Sequence, residues 1–155
     1  LGLLADPQEW RIATLAALIE AEDLTFVSLW SPTFLLALID ALPALAEEVS
    51  ARLSPSARDR LAKALAEEPL NTARVWPMLA CISCWTDGAS AAFAAALAAR
   101  FPHAVIDPKG VLATEAPITL SYGEKAICIP ALTQCVTEFV DAAGTPHLCD
   151  ALEPG

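Results

Sequence analysis

The sequence has few basic residues. Lysine and arginine number 9 among 155 residues, against 19 aspartates and glutamates, so the formal charge is −10 and the pI is about 4.4. A protein that binds nucleic acid or an anionic membrane surface uses lysine and arginine to neutralise phosphates. The composition therefore excludes both as large binding partners.

The sequence also lacks an apolar run long enough to cross a membrane. The longest uncharged window, LTFVSLWSPTFLLALI, lies between Asp23 and Asp40 and is interrupted by Ser31 and Pro32. It is shorter than the roughly 20 apolar residues that a spanning helix needs. With 55% hydrophobic residues, the chain has enough apolar material for one core, and we expect a soluble, cytoplasmic protein. Because it begins at Leu1 rather than methionine, we also expect an internal piece of a longer polypeptide.

Cysteines and histidines are too few and too scattered to form an obvious metal or disulfide framework. An odd number of cysteines in apolar context indicates buried, reduced thiols: Cys81, Cys84, Cys128, Cys135 and Cys149. The spacing of Cys81 and Cys84 permits a redox pair, but on a strand the two would point to opposite faces. Structural thiols are favoured, and thiol redox chemistry remains an alternative. His103 and His147 lie in predicted loops, where we expect them to be solvated.

Three predicted helices begin with the same sequence pattern, a capping side chain followed by proline at the first helical position. They are Asp6-Pro7, Ser31-Pro32 and Ser54-Pro55. Glu9 completes a capping-box pattern in the first of these helices. In the second, Pro43 should kink or divide the helix.

From Asn71 onward, short apolar runs separated by glycine and proline predict strands around one alanine-rich helix. These runs are MLACIS, HAVID, KGVLATEAPITL, KAICIP and CVTEFVD, and the helix is ASAAFAAALAARF. The predicted fold class is α/β, with helices followed by a strand-helix-strand unit and further strands. We expect a single, partial domain over residues 1–155, mainly helical over 1–69, with an α/β part that carries a nucleotide site over 70–155.

Two loops of the α/β part carry polar groups suited to ligand binding. WTDGAS joins a predicted strand to a helix, and Gly88 would let a ligand approach the backbone. KGVLATE ends on Thr114 and Glu115, which would lie at the same sheet edge, where open α/β sheets bind ligands. A carboxylate there can bind hydrated Mg²⁺. The alternative is that Asp87-Gly88 only makes a turn, and that Thr114 and Glu115 form a solvated turn.

Four segments taken together resemble a known family. LWSPTFLLALI, WPMLACISCWTDGASAAF, FPHAVIDPKGVLATEAPITL and TEFVD are similar to the bacterial branch of the auxin-responsive promoter family, which are acyl-acid amido synthetases of the adenylate-forming superfamily. The resemblance runs from about Leu24 to the end and is strongest from Trp76 to Leu120. Its members are several times longer, so the chain would be a central part of the large N-terminal domain of such an enzyme.

The resemblance implies an ATP-dependent ligase that uses Mg²⁺. Enzymes of this family adenylate a small carboxylic acid, release pyrophosphate, and let the amine of an amino acid displace AMP. Matched to the family, Thr86, Gly88 and Ala89 form the loop beside the adenine. Thr114 faces the AMP phosphate and Glu115 binds magnesium, and these two are the catalytic candidates.

The family pattern is incomplete in this sequence. Val111 stands where the superfamily has an aromatic residue against adenine, and Leu112 stands where it has glycine. The loop that grips the triphosphate, the aspartate that binds ribose and the mobile C-terminal domain with its lysine would lie outside residues 1–155. We therefore expect half a nucleotide site, an isolated chain without activity, and exposed apolar surface that favours self-association.

Two questions are left open by the sequence. Trp30, Phe34 and Leu35 would form an apolar wall for the acyl group, although an ordinary core helix explains such a stripe equally well. The chain could also be a truncated or degenerate homologue that serves only as a binding or structural module.

Overall fold

The structure is a computed structural model that describes residues 6–123, 127–133 and 136–152. The chain forms two compact units, Leu1–Asp107 and Pro108–Gly155. The prediction of one domain with a boundary near residue 70 stays a prediction. None of the helices in the described ranges is long and apolar enough to cross a membrane.

The first unit contains the α-helices of the described residues, and three of their starts confirm the predicted caps. The helices are α1 (Pro7–Glu20), α2 (Pro32–Ala41), α3 (Ala46–Ser50), α4 (Pro55–Leu65), α5 (Thr72–Val75) and α6 (Ala91–Arg100). The side chains of Asp6, Ser31 and Ser54 each accept a hydrogen bond from a backbone N–H of the helix that follows. Pro43 lies between α2 and α3 and divides the predicted long helix, because proline lacks an N–H and clashes with the preceding turn.

Glu9 does not complete the predicted capping box. Its two carboxylate oxygens instead accept hydrogen bonds from the Arg52 guanidinium at 2.7 and 2.8 Å. A guanidinium presents two parallel donors that match a carboxylate, so it is a stronger partner than one backbone N–H. The prediction failed because Arg52 lies 43 residues away in sequence.

A three-stranded sheet crosses the first unit in the order β1 (Phe26–Ser28), β2 (Cys81–Cys84) and β3 (Val105–Pro108). β1 and β2 are parallel, with Val27 opposite Ile82. The succession of β2, α6 and β3 along the chain confirms the predicted strand-helix-strand order. β1 was not predicted, because three residues are too few to show the alternation that marks a strand.

The core of the first unit lies between the helices and this sheet. Trp76 is its largest fully buried side chain, and its indole Nε1–H donates to the Leu18 carbonyl oxygen at 2.8 Å. The Trp76 ring lies 5.9 Å from the ring of Phe101. A buried indole with a hydrogen-bond acceptor contributes apolar burial without an unsatisfied donor. Fully buried around it are Leu15, Ile19, Ile39, Leu42, Leu61, Ile82 and Leu97.

The second unit consists of two antiparallel hairpins, β4 (Thr119–Tyr122) with β5 (Ile127–Pro130), and β6 (Glu138–Val140) with β7 (Pro146–Leu148). Only the end of the predicted strand KGVLATEAPITL is a strand. Residues 111–118 instead form a loop in which Leu112 pairs with Pro117 in an isolated bridge. Val111 and Leu112 are 52% and 48% exposed. The prediction of a buried strand before Thr114 was therefore wrong, because these apolar side chains lack the cover that a buried strand needs.

Candidate functional site

The loops that follow β1 and β2 are hydrogen-bonded to each other at the carboxyl end of the parallel pair. The Leu29 N–H donates to the Ser83 carbonyl oxygen at 3.0 Å, and the Trp85 N–H donates to the Trp30 carbonyl oxygen at 2.8 Å. Each loop then leads into a helical segment, α2 in one case and a 3-10 turn followed by α6 in the other. The carboxyl edge of a parallel sheet is where α/β folds bind ligands.

An apolar groove of about 350 Å³ opens at this edge. Its lining residues are Leu29, Trp30, Ser31 and Phe34, and none of these four described residues is charged. Trp30 and Phe34 are both 50% exposed, so their rings are available to a ligand. Leu35, the third member of the predicted apolar wall, is 4% exposed and packs in the core instead.

Neighbouring aromatic rings support the groove from two sides. The Phe34 ring makes an edge-to-face contact with Trp10 at 5.3 Å between centroids. The Trp30 ring lies 5.6 Å from that of Trp85. Such pairs stabilise ring positions beyond the area they bury. The groove therefore has aromatic walls held by a second set of aromatic residues.

Trp85 is a residue of this region that the sequence reasoning missed. Its indole Nε1 is buried, and in the described part of the chain it has no hydrogen-bond acceptor. A buried donor without an acceptor costs free energy, so each such group in a folded protein calls for an explanation. Its position directly after a buried strand, at the start of the WTDG loop, was the signal in the sequence.

The WTDGA loop has an open backbone at Gly88. Thr86 is half-buried, whereas Gly88 and Ala89 are exposed. Gly88 has a φ of +56°, and a Cβ added there would meet no atom within 4 Å. Glycine is needed for the left-handed backbone rather than for a close approach of protein atoms. The space next to the loop is open to a ligand.

Thr114 and Glu115 lie at the tip of a short loop rather than at the end of a strand. The loop is closed by the bridge between Leu112 and Pro117 and by a hydrogen bond from the Ala113 N–H to the Ala116 carbonyl oxygen at 2.9 Å. Both side chains are exposed. The structure thus brings Thr86, Gly88 and Ala89 together in the first unit, and Thr114 and Glu115 together in the second.

Glu115 can supply one ligand to a magnesium ion. Across residues 6–123, 127–133 and 136–152, no three His, Cys, Asp or Glu side chains are grouped as a complete metal site would require. Mg²⁺ commonly uses one or two carboxylates and takes its other ligands from water and substrate phosphates. An exposed single carboxylate therefore fits magnesium that arrives with a nucleotide.

The Cys81 thiol of β2 is not activated for redox chemistry. Burial, and secondly the negative charge of Asp107, raise the pKa of the Cys81 thiol. Cys84 is fully buried. A nucleophilic cysteine needs a lowered pKa, so this environment favours the structural role. Cys149 is exposed, contrary to the prediction of burial, and Cys135 lies outside the described residues.

The two histidines differ from the expectation that both are solvated. Both ring nitrogens of His103 are buried and have no hydrogen-bond partner among the described residues. The ring lies 6.1 Å from that of Phe101. His147 Nε2 lies 3.1 Å from Asp141 Oδ2 in the β6-β7 hairpin. The expectation failed because chain folding places the loop after α6 against the aromatic core.

The fold is similar to part of a solved acyl acid amido synthetase. The structure of the acyl acid amido synthetase AtGH3.15 in complex with 2,4-DB superposes with a TM-score of 0.77 and 11% sequence identity. The match covers 94% of this chain and 31% of that chain. No family model matches the sequence, and no curated protein matches it significantly. The similarity confirms the predicted mixed α/β fold, whereas the predicted family and its bacterial branch stay predictions.

Proposed function

We propose that this chain forms part of an ATP-dependent acyl-acid amido synthetase of the cytoplasm, one that adenylates a carboxylic acid and conjugates it to an amino acid. The observation that carries the proposal is the structural similarity to AtGH3.15 over 94% of the chain. It is supported by an apolar groove placed at the carboxyl ends of β1 and β2, beside the WTDGA loop. A fold alone admits many functions, so the placement of the groove is needed as support as well.

The groove suits the organic part of the acid. Its volume of about 350 Å³ is within the range of small-molecule sites, roughly 300–1,000 Å³. Its lining of Leu29, Trp30, Ser31 and Phe34 offers apolar and aromatic contacts without a charge. The charged carboxylate of the acid would then extend from the groove toward the WTDGA loop, beside which ATP must bind for adenylation.

The WTDGA loop of the first unit and the Thr114-Glu115 loop of the second unit each carry groups that suit part of a nucleotide. The exposed backbone at Gly88 and Ala89 would lie along the adenine, where peptide groups can hydrogen-bond to a heterocycle edge. The Thr114 hydroxyl would donate to a phosphate oxygen, and the Glu115 carboxylate would bind Mg²⁺. When bound, the metal would neutralise negative charge on the phosphates.

The proposed reaction has two displacement steps. An oxygen of the acid attacks the α-phosphorus of ATP and pyrophosphate leaves. The amino-acid nitrogen then attacks the acyl carbon, AMP leaves, and the amine proton is released. Thr114 would orient the α-phosphate for the first attack, and the groove would fix the acyl carbon for the second. We propose that the remaining groups of the site are supplied by parts outside residues 1–155, so the chain by itself is inactive.

A second candidate is a non-catalytic binding or structural module. The observation that favours it concerns Glu115, whose carboxylate has no hydrogen-bond or ion-pair partner in the part of the chain that the structure describes. Catalytic side chains are ordinarily held in position by neighbouring groups. A degenerate homologue would retain a carboxylate that no neighbouring group holds in position.

Calorimetric titration of the 155-residue chain, together with its tryptophan fluorescence, distinguishes the ligase proposal from the structural module. The ligase proposal predicts that ATP binds in the presence of Mg²⁺ and that 2,4-DB, used as the probe acid, binds with quenching of tryptophan fluorescence. Binding of neither ligand would favour the structural module. Turnover of ATP by the chain with an acid and an amino acid would contradict the proposal that it is only part of the catalytic site.

A further inference from the structure

Trp85 carries a buried hydrogen-bond donor that no described residue satisfies. Its indole Nε1 is covered by the surrounding protein, and none of the described residues supplies an acceptor to it. An indole has a single N–H donor and no acceptor, so it has one hydrogen bond to make. Leaving such a donor unpaired is unfavourable. A ligand that brings an acceptor to this N–H therefore gains binding free energy.

This donor lies next to the apolar groove. The Trp85 ring is 5.6 Å from the ring of Trp30, and Trp30 lines the groove. Other buried side-chain atoms without a partner among the described residues belong to Thr14, Arg60 and His103. Of these described groups, Trp85 is the one whose ring contacts the groove lining. It is therefore the unpaired donor that a ligand in the groove can reach.

The groove lining itself offers little to a carboxylate. The hydroxyl of Ser31 accepts a hydrogen bond from the Thr33 N–H at 3.3 Å and shares another with the Thr33 hydroxyl at 2.7 Å. Pro32 has no N–H, and the Phe34 N–H donates to the Ser31 carbonyl oxygen at 3.2 Å. The donors at the start of α2 are thus already used. Because a carboxylate taken out of water needs hydrogen-bond donors, it must find them beside the groove.

We infer that the Trp85 indole N–H donates a hydrogen bond to the carboxylate of the acid that occupies the groove. Trp85 begins the WTDGA loop, beside which the carboxylate would lie for adenylation. Trp30 stands between the indole and the groove, and because its side chain is 50% exposed, its ring can rotate to admit a carboxylate oxygen. Trp85 then recognises the acid group, whereas Trp30 and Phe34 hold the apolar part. This inference rests on the proposed function, since its ligand is the acid.

A preference for the acid over an uncharged derivative follows from this role. A hydrogen bond to a carboxylate is charge-assisted and stronger than one to an ester oxygen. The unchanged chain should therefore bind 2,4-DB more tightly than its methyl ester. Trp85→Phe keeps an aromatic ring beside Trp30 and removes the N–H, so it should reduce this ratio of affinities about tenfold.

Calorimetry with 2,4-DB and its methyl ester measures the ratio in the unchanged chain and in each variant. Trp10→Phe is the matched control, because it removes an indole whose ring lies 5.3 Å from that of Phe34, a second groove residue. Its affinities for the acid and the ester should change by the same factor. Circular dichroism of each variant checks that the fold is retained.

Nuclear magnetic resonance of the chain with isotope-labelled tryptophan gives a second readout. The four tryptophans give one indole N–H resonance each, and the resonance missing from Trp85→Phe belongs to Trp85. It should move downfield when 2,4-DB is added and move less with the methyl ester. Because the ester differs from the acid only at the carboxylate, a purely structural role of Trp85 would give equal shifts with both ligands.

Three results would overturn the inference. If Trp85→Phe binds 2,4-DB and keeps the ratio of the unchanged chain, the N–H does not recognise the acid group, although the proposed function stands. If the Trp85 resonance moves with ATP and Mg²⁺ but not with 2,4-DB, the donor serves the nucleotide instead. If the unchanged chain does not bind 2,4-DB, the role of the groove in the proposed function fails, and the inference fails with it.

Discussion

The backbone N–H of Trp85 donates to the carbonyl oxygen of Trp30 at 2.8 Å, and the two indole rings lie 5.6 Å apart. This hydrogen bond joins the loop after β2 to the loop after β1, 55 residues apart in sequence by their numbering. It also brings the half-buried Trp85 against a residue that lines the apolar groove. The WTDGA loop and the groove are consequently one structural feature of the first unit.

Replacing Trp30 should remove one wall of the groove. Trp30→Ala is expected to weaken binding of 2,4-DB by roughly tenfold or more, because the ring contact and its apolar burial are lost. Calorimetry measures the affinity. Phe93→Ala is the matched control, since Phe93 is 47% exposed on α6 and lies outside the groove lining. Equal loss in both variants would contradict a specific role for Trp30.

Glu115→Gln should abolish the magnesium dependence of ATP binding. The amide keeps the size of the side chain and removes the charge that Mg²⁺ requires. Titration with ATP in the presence and absence of magnesium measures the effect. Glu138→Gln, at an exposed position in the same unit, should bind as the unchanged chain does. If ATP binding by Glu115→Gln still depended on magnesium, Glu115 would not be a magnesium ligand.

The Cys81 thiol should react slowly with alkylating agents at neutral pH. Its pKa is raised by burial and by Asp107, so little thiolate is present, and the rate should increase as the pH rises. Mass spectrometry of alkylated peptides follows each cysteine separately, with the exposed Cys149 as an internal comparison. Asp107→Asn should accelerate modification of Cys81. Rapid modification of Cys81 in the unchanged chain would revive the thiol redox alternative.

The free energy of unfolding should decrease on acidification. Hydrogen bonds from Arg52 lower the pKa of Glu9, and the Ser54 backbone N–H lowers that of Glu20, both from an ordinary value of 4.5. The unfolded chain therefore binds protons at a higher pH than the folded one. The stabilisation is present above about pH 4.5 and is lost as the pH falls through the lower folded values.

Urea unfolding at a series of pH values measures this effect. Glu9→Gln should flatten the decrease below pH 4.5, because one linked carboxylate is gone. Glu48→Gln serves as the control, since Glu48 lies on α3 and makes no ion pair among the described residues. An unchanged slope in Glu9→Gln would show that its pair with Arg52 is too well solvated to affect stability.

Local features of the fold were predictable because their causes are local. The proline starts of α1, α2 and α4 depend on a capping side chain within three residues, and the sequence shows all three. The helix α6 was predicted from its alanine content and from Pro102 beyond its end. Strands were harder to predict. Val111 and Leu112 have the composition of a strand, but a strand forms only where a partner is available.

The candidate site was predictable in composition rather than in geometry. Gly88 was recognised from a glycine after a buried strand, and its left-handed φ agrees with that reasoning. Thr114 and Glu115 were expected at a strand tip and lie on a loop instead. Trp85 was missed because its significance comes from Trp30, a residue on another strand.

By itself, the sequence determined the caps, the division of the helix at Pro43, the acidic charge and the α/β order of elements. These follow from side-chain chemistry acting over a few residues. Tertiary structure alone decided the pairing of Arg52 with Glu9, the burial of the His103 ring nitrogens, the groove beside Trp30 and the exposure of Leu120 and Ile129. Each of these depends on which distant segments come together, and that is set by the packing of the whole unit.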